Sequence, residues 1–579
     1  MRAATHRVLR MTCGAMALYA ALAGGGAQAE PADWPADTFA VLCYHEIRDD
    51  AKQRPDSYTL ESAKLALQFA WLRGQGYHVI SLDEVIAARR DHKPLPPKAV
   101  MLSFDDGLES AYSRAFPLLQ AFHYPAVVGL VGSWLEEPGH GSTHEAPRYG
   151  DTTLSRADFL KAGEIGDMQH SGLIEFASHT FAMHEGIVAN PQGNLEPSAV
   201  ARAYDPAGAS YEDEAHYAGR VRTDLVQNND RIAALTATRP RLVIWPYGEH
   251  NHTTDRISAE LGMPYGMSLD LGLNTPDVPL AHMRRVLITN DFTTADLARV
   301  LQEPVRRTPI RAVQVDPGLL VDADPKREES NLSKLLDRIK ALGVNAVYLQ
   351  AFADPGGTGR ATALYFPNGH LPMKADIFNR VAWQLHTRAA VDVYAWLPLM
   401  SFDLPTTDSA EAKGAIADIY ADLSASAAFQ GLLISGDAPE ADLRKFSIDL
   451  AQQLRADRDY LLTARRLSAE APREAQIDAL QSFDYVVVNV APQAQHNGRM
   501  TDHWLKDFVG SVATLPRGLE KTVFELPVVA GTALAAEIRA LRRAGARNIG
   551  YFPDDVMRLR PAVEAVRPVL SLRSFPGDN

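Results

Sequence analysis

Ala99-Val100-Met101-Leu102-Ser103-Phe104-Asp105-Asp106-Gly107 is an apolar run that ends in two adjacent carboxylates and a glycine. The run has the length and composition of a strand, and Asp-Asp-Gly reads as the turn that closes it. Two neighbouring carboxylates at a strand end are not cheaply desolvated as anions. A bound cation neutralises one and lowers the pKa of the other. Upstream, Phe39–Cys43 is a second apolar run; between the two, Leu60–Gly74 has helical spacing and stops at a glycine. Ala126–Val131 and Leu242–Trp245 repeat the strand signal. Strands alternating with helices predict a parallel sheet or barrel.

A second alternating series follows. Glu303–Arg311 (EPVRRTPIR) is basic, proline-bearing and aperiodic, and reads as a linker between a domain over 30–302 and another over 312–579. Ala312–Val315, Ala346–Gln350, Val391–Leu397, Gly431–Ile434, Tyr485–Val490 and Thr522–Leu526 look like strands, with helical stretches such as Asn331–Leu342 between them. That count and length fit a (β/α)₈-type barrel.

Composition sets the outer bounds. The chain has 579 residues, of which 46% are hydrophobic, so several packed domains are expected and wholesale disorder is excluded. With 58 Lys+Arg against 71 Asp+Glu, the net charge of -13 argues against a nucleic-acid partner. A basic start, a short apolar run and Ala27-Gln28-Ala29 before Glu30 have the layout of a secretory signal over 1–29. No later stretch is long and apolar enough for a transmembrane segment. Cys13 falls within that signal, which leaves Cys43 alone as a small buried hydrophobe.

Two further pieces join Asp105-Asp106 as candidate chemistry. Ser178-His179-Thr180-Phe181-Ala182-Met183-His184 places two imidazoles at a strand end and its following loop. With one carboxylate they make a two-His-one-Asp face with open positions, the pattern of a catalytic metal site. Trp245-Pro246-Tyr247-Gly248 is a turn after a strand, where the Tyr247 N–H is available to a developing oxyanion.

In this order the three pieces resemble the polysaccharide deacetylase signature (NodB homology, carbohydrate esterase family 4). They are closer still to its branch acting on poly-β-1,6-N-acetyl-D-glucosamine in biofilm matrix export. Leu42-Cys43-Tyr44-His45-Glu46, Leu269–Asn274, Arg285–Ile288, Val347–Pro355, Tyr365–Leu385 and Val393–Pro398 extend the resemblance over nearly the whole chain. It implies a distorted NodB-like (β/α) barrel followed by the second (β/α)₈-type barrel. It also implies a divalent metal (zinc, or cobalt, nickel or iron) on Asp106, His179 and His184, with Asp105 as general base. The wider family often draws its general acid from a late His motif, but Leu287-Ile288-Thr289-Asn290 offers none, so His45 takes that role. Trp245 stands where the wider family has Arg, and is read as a sugar platform. Asp270 either orients the site or belongs to an Asp-x-Gly turn. The location implied is the periplasm, possible partners being the polymer itself and an outer-membrane export protein.

For the second domain the resemblance implies a barrel that binds the partly deacetylated polymer and in some members hydrolyses it. Asp316, Gln350, Asp354, Tyr394, Trp396, Asp437, Glu525 and Asp554 sit at or near strand ends, where such barrels bind. Hydrolysis needs paired carboxylates. Gly436 replaces one of two adjacent Asp of the hydrolytic members, and Arg466 replaces an Asn, so binding is favoured over cleavage. The rival readings are a glycoside hydrolase with an accessory first domain, and a module that guides polymer without chemistry.

Overall fold

The structure is a computed structural model that describes residues 34–50, 58–135, 148–149, 152–302, 309–406, 408–458, 461–490, 502–528 and 534–572. The expected signal over 1–29 lies outside the described residues, as does 303–308 of the expected linker. Arg311, read as the end of that linker, already opens a barrel strand.

The first domain is an eight-stranded parallel sheet. Across the sheet the order is Tyr265–Met267, Leu242–Ile244, Ile174–Ser178, Ala126–Leu130, Ala99–Phe104, Phe39–Tyr44 and Val286–Leu287, with His78–Val79 also on Ala99–Phe104. Every residue of Phe39–Tyr44 and Ala99–Phe104 is buried. Helices cover one face and the curled sheet encloses the other, so these strands are apolar without alternation. Ser62–Gly74 is a helix whose Leu65, Phe69 and Leu72 pack into that core.

The second domain is a closed barrel of eight parallel strands: Arg311–Val315, Ala346–Gln350, Asp392–Pro398, Gly431–Ser435, Leu462–Ser468, Tyr485–Asn489, Thr522–Pro527 and Asn548–Phe552. Leu462–Ser468 and Asn548–Phe552 are strands that apolar patterning does not reveal. Arg465 and Arg466 interrupt the first, and both are buried. Arg465 donates to Ile434 O at 2.7 Å, whereas Arg466 points to the barrel interior, 2.7 Å from Glu525.

The domains meet along the barrel helix Phe378–Ala389. Asn190 Nδ2 donates to Asp376 O at 3.0 Å, Tyr211 Oη donates to Asp376 Oδ2 at 2.8 Å, and Asn379 donates to Glu196. A cavity of about 280 Å³ lies in the seam, lined by Glu249, Asp270 and His386, and by Asp392, Gln430 and Leu462 at the starts of barrel strands. There the first domain faces the N-terminal end of the barrel, away from the end where such barrels bind ligands. No helix among the described residues is long and apolar enough to cross a membrane.

Candidate active site

Asp105 and Asp106 follow Ala99–Phe104, His179 follows Ile174–Ser178, and Pro246-Tyr247-Gly248 follows Leu242–Ile244. Parallel strands deliver all of them to one end of the sheet. Asp106, Gly107 and Thr180 adopt positive φ values of 72°, 67° and 65°, tight backbone that turns the side chains inward. The loop after His179 is held by Asp224, whose carboxylate accepts the Phe181 and Ala182 N–H groups at 2.7 Å each.

Asp106 Oδ1 lies 3.3 Å from both His179 Nε2 and His184 Nε2. His179 Nδ1 is 2.7 Å from Ile244 O, a contact that places the ring proton on Nδ1 and leaves the Nε2 lone pair facing Asp106. With the imidazoles neutral, two acceptors face each other across this gap, and a cation between them removes the conflict. The spacing agrees: ligands about 2.0–2.1 Å from a tetrahedral ion stand roughly 3.3–3.4 Å apart. Burial alone pushes the Asp106 carboxyl up, but the two imidazoles outweigh it and hold it well below the usual range.

Two other clusters have ligand-type atoms but fit an ion less well. In His250, Asp255 and His282 the nitrogens lie 2.9 and 3.0 Å from Asp255 Oδ2. Those are hydrogen-bond distances. Burial pushes His250 down, but Asp255 outweighs it and its pKa rises to about 9. In Cys43, His45 and Asp105 the thiol is buried and its pKa is raised well above the ordinary value, so it remains protonated.

Asp105 is held from the opposite side. Arg285 Nη1 donates to its two oxygens at 2.7 and 2.8 Å, while Arg285 Nε donates to Ser268 O at 2.8 Å. Burial pushes the Asp105 carboxyl up; Arg285, His179 and His45 together bring it below the usual value. His45 Nε2 lies 3.9 Å from Asp105 Oδ2, and burial, opposed by Asp106 and Asp105, lowers its pKa. Sequence reasoning missed the role of Arg285, and missed Trp134, whose ring centroid is 4.8 Å from that of His184.

Several expected binding residues are placed otherwise. Trp245 is fully buried among Tyr217, Val243, Ile257 and Met263, so it offers no face to a sugar. The Asp270 side chain turns to the second domain, 3.3 Å from His386 Nε2, although its carbonyl accepts the Arg285 N–H at 3.0 Å. Tyr394 is 2% exposed and fills the space beside Gly431, where a Cβ would collide with its ring. Trp396 is covered by the Arg466 guanidinium, 4.9 Å from its ring centroid. Glu525 is buried in an ion pair with Arg466.

Asp316 and Asp354 cap their own loops, accepting from Gly318 N and Gly359 N, and Asp437 accepts from Ser468 N at the end of the neighbouring strand. Gln350 donates to Phe352 O, and Asp554 is locked to Arg338 at 2.7 and 2.8 Å. At the barrel mouth Glu525 and Asp554 are thus taken up in ion pairs, while Asp316, Asp354 and Asp437 accept from backbone N–H groups.

An open parallel half-barrel bearing this cluster, joined to a closed barrel, defines a polysaccharide deacetylase with a hydrolase-like second domain. Residues 92–266 match the polysaccharide deacetylase family, and 314–414 and 439–552 match hypothetical glycosyl hydrolase family 13. The poly-β-1,6-N-acetyl-D-glucosamine N-deacetylase of Escherichia coli O157:H7 is 31% identical over 94% of this chain and 93% of its own. The chain belongs to the poly-β-1,6-N-acetyl-D-glucosamine N-deacetylase family. The protein of that name from Staphylococcus epidermidis is 24% identical over 43% of this chain and 79% of its own. Among solved structures, a deacetylase domain from Bordetella bronchiseptica is 40% identical over 44% of this chain and 98% of that one, with a TM-score of 0.40. A glycoside hydrolase domain from the same organism is 34% identical over 46% of this chain and 100% of that one, with a TM-score of 0.41.

Proposed function

We propose that the chain removes N-acetyl groups from poly-β-1,6-N-acetyl-D-glucosamine in a metal-dependent reaction, and that it does so in the periplasm during export of the polymer. The observation that carries the reading is the convergence of Asp106, His179 and His184 at ligand spacing beside an Asp105 kept ionised by Arg285. A divalent cation held by those three residues (zinc, cobalt, nickel or iron) supplies Lewis-acid polarisation of the acetyl carbonyl and a water of lowered pKa.

The chain's own groups do the rest. Asp105 accepts the proton of the attacking water, and Arg285 fixes its position. The Tyr247 N–H, which no acceptor among the described residues takes, donates to the oxyanion. His45 sits beside Asp105 and carries a proton to the departing amine. Acetate and a free glucosamine amine are the products. Arg466 ties up Glu525 at the barrel mouth, which supports polymer binding there rather than cleavage.

Acetate release from β-1,6-linked N-acetylglucosamine oligomers, set beside chitin oligomers, tests the reading. Metal-loaded protein is expected to prefer the β-1,6 series, and Asp105→Asn to release none. Full acetate release by Asp105→Asn would remove Asp105 from the mechanism.

A further inference from the structure

The barrel helix Phe378–Ala389 presents Asn379, Trp383 and His386 at i, i+4 and i+7, one stripe along its length. Each meets a residue of the first domain. Asn379 donates to Glu196, the Trp383 and Tyr247 ring centroids lie 5.9 Å apart at 72°, and His386 Nε2 is 3.3 Å from Asp270. Beside this stripe, Arg380 Nη1 donates to Leu195 O at 2.9 Å. Tyr247 is the middle contact of the three, and its ring centroid lies 4.8 Å from that of His184 in the metal-type cluster. A continuous line of ring contacts, one edge-on and one tilted, therefore runs from the barrel helix through Tyr247 to His184.

Tyr247 is a residue that needs holding. Its φ of 58° and ψ of 7° put a bulky side chain in the left-handed region, a strained backbone that persists only where the surroundings over-determine it. Gly248 is left-handed too, and a Cβ there would collide with Leu269, so the residue after Tyr247 adds no side chain to steady it. The rings on either side of Tyr247 supply the support, and one of them comes from the other domain.

We propose that Trp383 is a positioning residue for deacetylation: it braces Tyr247 so that the Tyr247 N–H stays aimed at the reacting carbonyl. The inference rests on the deacetylase reading above, in which that N–H meets the oxyanion. The barrel then completes the wall of the first domain's site, besides any part it plays in holding polymer. The physical ground is the steep dependence of rate on placement, where a shift of about 1 Å costs on the order of 10²-fold.

The test uses the full chain loaded with metal and a short N-acetylglucosamine oligomer. Trp383→Ala is expected to lower kcat by about tenfold to a hundredfold, below the ~10²–10³ loss of an oxyanion donor, with KM and bound metal unchanged. Trp383→Phe restores most of the rate because the ring is kept. Trp383→Leu, which fills the seam without an aromatic edge, keeps the melting temperature but not the rate. Wild-type kcat in the Leu variant, equal impairment of the Phe and Ala variants, or metal lost in step with rate would each overturn the proposal. A wild-type chain that releases no acetate removes the deacetylase reading itself, and this inference with it.

Discussion

A single guanidinium nitrogen, Arg285 Nη1, bridges both oxygens of Asp105 at 2.7 and 2.8 Å, with Arg285 fully buried and Asp105 nearly so. Burial by itself raises the pKa of this carboxyl, and Arg285 is the foremost of the groups, with His179 and His45, that bring it below the usual value. Arg285→Met removes the charge and keeps the bulk. The Asp105 pKa then rises, and the acidic limb of the kcat/KM profile moves to higher pH, by about one unit or more. The variant also loses stability, since breaking a buried pair costs about 3–5 kcal/mol. A pH–rate profile superimposable on that of the wild type would show that Asp105 does not govern the acidic limb.

The spacing argument for the ion makes its own prediction. Elemental analysis of the purified chain should find one divalent ion, lost on Asp106→Asn or His179→Ala together with acetate release. His282→Ala should keep the ion, because His250, Asp255 and His282 stand at hydrogen-bond distance. Two ions in the wild type and one in His282→Ala would show that a nitrogen-to-oxygen gap of 2.9–3.0 Å also closes around a metal.

Much of this site was legible because its parts are short motifs at strand ends. The strand ending in Asp105-Asp106-Gly107 and the loop from His179 to His184 carry their chemistry in adjacent letters. Arg285 did not show itself: Arg284-Arg285 has the look of a solvated basic pair, and only the folded chain brings Arg285 across the sheet to Asp105. The aromatic residues failed for a different reason. Trp245 follows a strand and Tyr394 and Trp396 lie within one, where a sugar platform and a core side chain look alike in sequence, and packing made all three interior. The barrel strand Leu462–Ser468 stayed hidden because Arg466 is an inward-facing charge, and its partner Glu525 lies 59 residues away in the chain, as their numbers show.

The seam between domains should respond to pH through buried carboxylates. Burial, then repulsion from Asp376, pushes Glu196 up to about 8, and burial pushes Asp376 up to about 7. Below about pH 4 the folded and unfolded chains both hold these protons. As pH climbs toward 8, the unfolded chain releases them first, so stability falls across that window and levels off above it. Glu196→Gln removes the titration while its carbonyl still accepts from Asn379. Its melting temperature should exceed that of the wild type at pH 8 and match it near pH 4. An equal difference at both pH values would mean that the carboxylate does not titrate in the seam.

Arg466 decides what the barrel mouth can do. Its guanidinium lies between the rings of Trp396 and Phe552, at 4.9 and 4.6 Å, and pairs with the buried Glu525. A carboxylate held in that ion pair is not free to turn to a glycosidic oxygen, and Gly436 contributes no second carboxylate. Mass spectrometry of β-1,6-linked glucosamine oligomers incubated with the wild type should therefore show no shortened chains. Arg466→Met should not restore cleavage, since Gly436 remains. It should instead lower stability in a pH-dependent way. Burial already raises the Glu525 pKa against the pull of Arg466, and without Arg466 it rises further. The loss is then smallest near pH 4, where Glu525 is protonated in both the folded and unfolded chain, and grows as pH rises and the unfolded carboxyl ionises. Shortened oligomers in the wild-type reaction would mean that the ion pair opens during turnover and that the barrel is a hydrolase after all.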